Sequence, residues 1–141
     1  MTKPTSAEKQ QILEMAAEHY MNPQQQEFFR RLLWHERQEL LEHIERAKIQ
    51  LLEQEDTGDE GDIALREESL RLIFRQIDRE SRLLPKYDAA LLRLENGKYG
   101  FCSKTGDPIG LPRLLLRPTT ELSIEAKSKE EKAELHYRKN K

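Results

Sequence analysis

The residues best placed to do chemistry are the carboxylates of Asp59-Glu60-Gly61-Asp62-Ile63-Ala64. Asp59 and Asp62 stand three residues apart, a spacing that lets two carboxylates converge on one cation. A solvated acidic turn with Asp62 capping the next helix is the plain reading of such a stretch. Its flanks give it more weight. Each is a helix-rich segment of roughly 30 residues, about 45 Å long at 1.5 Å per residue. Raised on two such rods, the turn becomes a carboxylate probe able to enter a deep channel.

Other chemistries fit less well. Asp56 to Glu67 has partial EF-hand spacing, but its third position is Gly58, which offers no side-chain oxygen. His35-Glu36 lacks the second histidine of a metalloprotease helix, since Glu39 stands four residues on. No serine, cysteine or histidine constellation suggests nucleophilic catalysis, so a non-enzyme is expected. The single cysteine, Cys102, excludes an internal disulfide and reads as a small buried hydrophobe in a reducing compartment.

Bulk properties narrow the partners. Lys and Arg total 24 against 26 Asp and Glu, a net charge of −2, so the basic excess of a general nucleic-acid binder is missing and no sequence-specific DNA binding is expected. Acids crowd residues 53–62, while Arg113, Arg117, Lys127, Lys129 and Lys132 make the far end more basic. No apolar run approaches membrane-spanning length, and the expectation is a cytoplasmic, monomeric protein.

Periodicity supplies the elements. Thr5 and Glu8 have capping-box spacing and predict a helix ending near Tyr20-Met21. Asn22-Pro23-Gln24-Gln25 opens the next helix, with Asn22 as cap, Pro23 in the first turn and Gln25 reaching back. Phe29, Leu33, Leu40, Ile44, Ala47 and Leu51 form its apolar seam, interrupted by Glu36. After the acidic turn, Leu70, Ile73, Ile77, Leu84, Tyr87, Leu91 and Leu94 form a second seam, with a kink expected at residues 81–85 where Pro85 removes a backbone donor. Two long helices joined by a short turn make an antiparallel hairpin. Residues 97–122, punctuated by glycine and proline, predict a small knot with short strands at Tyr99–Cys102 and Asp107–Gly110. A helix over 123–138 follows, with Ile124, Ala133 and Leu135 as packing residues.

In that knot, Gly97-Lys98-Tyr99-Gly100-Phe101-Cys102, Ile109-Gly110, Arg113-Leu114 and Arg117-Pro118-Thr119 resemble the C-terminal zinc-finger region of the DksA/TraR family. These are bacterial transcription factors that enter the secondary channel of RNA polymerase. The resemblance extends through Tyr20-Met21-Asn22 and the hairpin. Asp59-x-x-Asp62-x-Ala64 matches the family's tip signature, so nearly all of the chain after residue 19 is covered.

The resemblance implies a mainly α fold: a long antiparallel coiled-coil hairpin plus a small globular domain. Residues 1–22 would pack on the globular part, 23–96 would form the hairpin with its tip at 56–62, and 97–141 would hold the finger-like region and C-terminal helix. It implies that Asp59, Asp62 and Ala64 sit near the polymerase active centre and that Arg79 meets the channel rim. Leu83, Lys86, Arg117 and Lys127 would contact the co-regulator ppGpp. A transcript-cleavage factor, using the tip carboxylates to hold a catalytic magnesium, is the alternative.

One departure matters. The family finger presents C-x2-C-x17-C-x2-C, and the four positions here read Cys102, Thr105, Ser123 and Ala126. One thiolate cannot build a closed tetrahedral site, so the expected form is zinc-free. An apolar core drawn from Ile109, Leu111, Leu114, Leu115, Leu116, Leu122 and Ile124 would replace the metal, with Thr105 and Ser123 hydrogen-bonding across its former position.

Overall fold

The computed structural model describes residues 1–53 and 60–139. Among these, the elements are α1 (Ser6–Leu13), a 3-10 turn (Ala17–His19), α2 (Pro23–Leu52), α3 (Glu60–Ser81), α4 (Leu84–Glu95), α5 (Leu111–Leu116) and α6 (Ile124–Lys139). The mainly α class is as expected. The elements group into two units, Trp34–Tyr87 and Met1–Leu33 with Asp88–Lys141. The division between the units falls within α2 and within α4.

In the Trp34–Tyr87 unit, α3 runs antiparallel to the later turns of α2. The Tyr87 hydroxyl donates to Glu36 Oε2 at 3.0 Å, and His43 Nδ1 lies 3.4 Å from Glu80 Oε1. Advancing along α2 from one partner to the next means retreating equally along the other segment, which only antiparallel chains do. Ile44, Ala47 and Ile73 are buried in the seam, with Leu40, Leu51, Leu70 and Ile77 half-buried beside them. Glu36, the polar break in the apolar series, is the acceptor for Tyr87. Burial first, and then the Glu36 charge, push the Tyr87 phenol well above its ordinary range.

Pro85 does more than kink the chain. α3 ends at Ser81, Arg82 and Leu83 form a turn, and α4 begins at Leu84. Pro85 then lies in the first turn of a new helix, where its missing N–H costs nothing. The amides of Lys86 and Tyr87 both return to the Leu83 carbonyl.

The larger unit starts with the expected capping box of Thr5 and Glu8. Arg31 then clasps the Glu8 carboxylate with two nitrogens and donates to the Thr2 and Lys3 carbonyls. The first helix stops at Leu13, short of Tyr20-Met21. Tertiary contacts override the good helical propensity of residues 14–19. Ile12 is buried, Ala16 is extended, and Met21 takes φ +57, which turns the chain into α2. Asn22 Oδ1 accepts the Gln25 amide at 2.8 Å, and Gln25 Oε1 reaches back to the Met21 amide at 2.7 Å. The capping expected of this stretch is present, displaced by one residue on the return bond.

That turn brings Tyr20 to the finger-like region. Its hydroxyl donates to the Gly100 carbonyl at 2.5 Å and accepts the Gly110 amide at 3.0 Å. Its ring meets Phe101 edge-on, 5.5 Å between centroids. Tyr99, 2% exposed, packs against Phe29 and donates to the Pro118 carbonyl at 2.7 Å. The predicted strands reduce to one isolated antiparallel bridge, Phe101 with Pro108, because glycines at 100, 106 and 110 with positive φ bend the backbone out of extended geometry. Leu111–Leu116, unassigned by periodicity, is a short helix with proline in its first turn. Among the proposed core residues, Leu114 and Leu122 are buried and Ile109 packs against the cluster of Cys102, Leu122 and Ala126. Leu116 and Ile124 face solvent, as do Ala133 and Leu135 on α6; Ala126 is the residue by which α6 packs.

Gly100 tests this arrangement. Its φ is +90, and a β-carbon there would lie 2.8 Å from Met21 Cγ and 2.9 Å from Met21 Sδ. Gly97, at φ +70, has nothing within 4 Å of that position. Denaturant titration is expected to show Gly97→Ala costing about 1 kcal/mol from backbone strain alone, and Gly100→Ala about 2–4 kcal/mol from strain plus overpacking. Equal losses would contradict the close approach of Met21.

Candidate functional site

The acidic signature is partly visible. Asp59 and the turn residues before it lie outside the described residues. Glu60 opens α3, so Gly61 and Asp62 are helical, and Asp62 is an exposed first-turn residue in place of the expected cap. Its charge suits the positive end of the helix dipole. Ala64, one position beyond Ile63, is also exposed. The helix over residues 60–67 removes the EF-hand reading, whose later ligands require an open loop.

Arg79 is exposed in the last turn of α3, and Leu83 is 37% exposed at the α3–α4 interruption. Lys86 is exposed in the first turn of α4. These three belong to the Trp34–Tyr87 unit, whereas Arg117 and Lys127 belong to the other.

Arg117 ends α5 on a stretch of backbone held at successive carbonyls. Tyr99 takes that of Pro118, Arg93 takes those of Thr119 (3.2 Å) and Thr120 (3.4 Å), and Arg113 Nε takes that of Leu122 at 2.9 Å. The Thr120 amide closes back onto the Arg117 carbonyl at 3.0 Å. This bracing leaves the Arg117 side chain exposed while its main chain is fixed. Lys127 sits one turn into α6, half-buried, its Nζ 3.4 Å from Glu130 Oε1.

The four positions of zinc-finger spacing are also on this unit. Cys102 is 3% exposed. The donors that lower its thiol are the Thr105 hydroxyl first, then the backbone amides of Ser123, Thr105 and Lys104. Together, against the opposing effect of burial, these donors hold the thiol down at about 6. Thr105 Oγ1 in turn accepts the Asp107 amide at 3.2 Å, and Ser123 Oγ caps α6 by accepting the Ala126 amide at 3.1 Å. Thr105 and Ser123 therefore bond within their own turns, where a bond to each other was expected. Cys102 is buried as expected.

Residues 25–94 match the family model of the DnaK suppressor protein DksA, N-terminal domain, and residues 97–132 match that of the prokaryotic dksA/traR C4-type zinc finger. The RNA polymerase-binding transcription factor DksA of Caulobacter vibrioides is 39% identical over 122 residues, covering 86% of each chain. The factor of that name from Escherichia coli K12 is 34% identical over 116 residues, covering 82% of this chain and 77% of the other. The chain belongs to the DksA/TraR family. The solved structure of transcription factor DksA2 from Pseudomonas aeruginosa matches with a TM-score of 0.83 at 49% identity, covering 91% of this chain and 99% of that one.

Membership sharpens the question of the metal. The DksA/TraR finger model is of the four-cysteine type, and the donors here do not fit it. Ala126 presents a buried methyl group, the Ser123 hydroxyl is engaged as a helix cap, and the Thr105 hydroxyl accepts the Asp107 amide. Among the described residues, no group of three or more His, Cys, Asp or Glu is placed to hold a metal ion.

Sequence reading named the exposed cations of this region but missed what positions them. Arg93 reads as a surface charge on a helix seam, yet its guanidinium spans two carbonyls and lies 3.5 Å from Glu121. Nothing in its local pattern reveals that reach.

The depressed Cys102 thiol makes a signed forecast. An unfolded thiol titrates near 8.5, so the folded state binds fewer protons between about pH 6 and that value. The resulting stabilisation is complete above the unfolded value and fades as pH falls through about 6. The thermal midpoint of the wild type, measured against Cys102→Ala, is expected to rise from pH 6 to pH 8.5. Parallel profiles would contradict a thiolate held by these donors.

Proposed function

We propose that this protein is a transcription factor that binds RNA polymerase directly, through the secondary channel, and shifts the stability of promoter complexes. The observation that carries this reading is the match, across both segments of the chain, to relatives named for binding RNA polymerase. The placement of Asp62 and Ala64, exposed on the first turn of α3, suits a tip that enters a channel. Asp59 joins them by the family signature. A carboxylate near the polymerase centre acts on a field set by magnesium and mobile basic groups, without having to ligate the metal. A factor that moves an equilibrium must prefer one state of its partner, and the tip charges supply that preference.

In this reading Arg79 meets the channel rim. Leu83, Lys86, Arg117 and Lys127 engage ppGpp when the factor is on the polymerase, Arg117 through its planar guanidinium and the lysines as point charges. The braced backbone under Arg117 supports that role, since a fixed stem reduces the freedom lost on binding. The factor works without zinc, in the cytoplasm, as a monomer, and regulates without catalysing a reaction. The cleavage-factor alternative finds no support in the relatives described above.

In vitro transcription from a ribosomal promoter, with and without ppGpp, separates these readings. Asp62→Asn is expected to abolish most of the inhibition while leaving a folded protein, because an exposed first-turn charge contributes only about 0.3–1 kcal/mol to stability. Undiminished inhibition by Asp62→Asn would overturn the role of the tip. Vigorous RNA cleavage in backtracked complexes would favour the alternative.

A further inference from the structure

Glu130 is placed between two ammonium groups from different parts of the fold. Its Oε1 lies 3.4 Å from Lys127 Nζ, one helical turn back on α6, and its Oε2 lies 3.0 Å from Lys104 Nζ, in the turn that follows Cys102. The Glu130 side chain is 31% exposed, that of Lys127 41% and that of Lys104 57%. Lys104 first, and then Lys127, hold the Glu130 carboxyl below its usual range, so it is anionic at neutral pH. Lys127 is thus reachable from solvent but already carries a counter-ion.

We propose that Glu130 is an intramolecular competitor for Lys127, and that Lys104, by drawing the same carboxylate to its own side, sets how strongly that competition is felt. The inference rests on the reading of Lys127 as a contact for the phosphates of ppGpp. A phosphate group carries more charge than a carboxylate and accepts stronger hydrogen bonds, so it displaces Glu130 from Lys127 when it arrives. Lys104 then keeps the displaced carboxylate neutralised and away from the nucleotide. Lys104 is a positioning residue here, acting on the nucleotide only through Glu130.

The magnitude is bounded by the exposure of the pair. Solvent-exposed ion pairs are weak, which limits the effect to roughly a fivefold change in a binding midpoint. The signs of the two substitutions differ. Removing Glu130 frees Lys127 and strengthens the response to nucleotide. Removing Lys104 leaves Glu130 wholly to Lys127 and weakens it.

The test is a ppGpp titration of promoter inhibition, with polymerase saturated by the full-length protein, for wild type, Glu130→Gln, Lys104→Ala, the double variant and Lys127→Ala. Glu130→Gln is expected to lower the half-maximal ppGpp concentration, by up to about fivefold, and Lys104→Ala to raise it. In the Glu130→Gln background, Lys104→Ala is expected to change nothing, a pattern that mere loss of positive charge does not produce. If Lys127→Ala raises the midpoint while Glu130→Gln leaves it unchanged or raises it, the competitor role is overturned and the nucleotide contact stands. A persistent effect of Lys104→Ala in the double variant overturns its action through Glu130. If Lys127→Ala leaves the titration unchanged, the nucleotide contact itself fails, and this inference with it.

Discussion

The larger unit depends on closing the finger-like region with hydrogen bonds from tyrosine hydroxyls and arginine guanidinium groups to the backbone. Structural zinc in such a region contributes on the order of 10 kcal/mol to folding. Here the same backbone turn is held by many weaker bonds. Tyr20 bonds one face of it at Gly100 and Gly110, while Tyr99, Arg93 and Arg113 hold the carbonyls that lead into α6. At two of the four positions of zinc-finger spacing, Thr105 Oγ1 holds its own turn through the Asp107 amide and Ser123 Oγ caps α6. Each bond contributes only about 1 kcal/mol net, but leaving such buried groups unpaired would cost more, so the set behaves cooperatively.

This closure also fixes the surface that carries Arg117 and Lys127. The braces that satisfy the 118–122 carbonyls are the ones that present Arg117, and Ser123, a remnant of the zinc spacing, caps the helix that carries Lys127 and Glu130. Structure and proposed binding share residues, so substitutions at the positions of zinc-finger spacing are expected to disturb both. The Trp34–Tyr87 unit follows a different logic. Its apolar seam is narrow, its faces are charged, and its register is marked by polar pairs, Glu36 with Tyr87 and His43 with Glu80. Such pairs add little stability but penalise a shifted alignment.

Much of this was legible in the sequence. Heptad-like spacing located the seams, because burial on a helix repeats every three or four residues whatever the partner. Caps at Thr5 and Asn22 were legible because they are local. What escaped was set by distant contacts. The first helix stops at Leu13 because Tyr20 must reach Gly100, eighty residues away in the chain. The knot reads as short strands because glycines and prolines bound short apolar pieces, but positive-φ glycines leave only one bridge among the described residues. Pro85 was seen, yet whether a proline kinks or ends a helix depends on whether the next turn can be refounded, as it is on the Leu83 carbonyl. Around the candidate site, residue types named the exposed cations, while the groups that brace and compete with them, Arg93 and Glu130, became visible only through distances.

The most direct measurement is metal content together with thermal unfolding, for protein purified without chelator and then treated with excess chelator. A fold closed by its own hydrogen bonds contains far less than one equivalent of zinc and keeps the same midpoint before and after treatment. Stoichiometric zinc, with a midpoint that collapses on chelation, would contradict it.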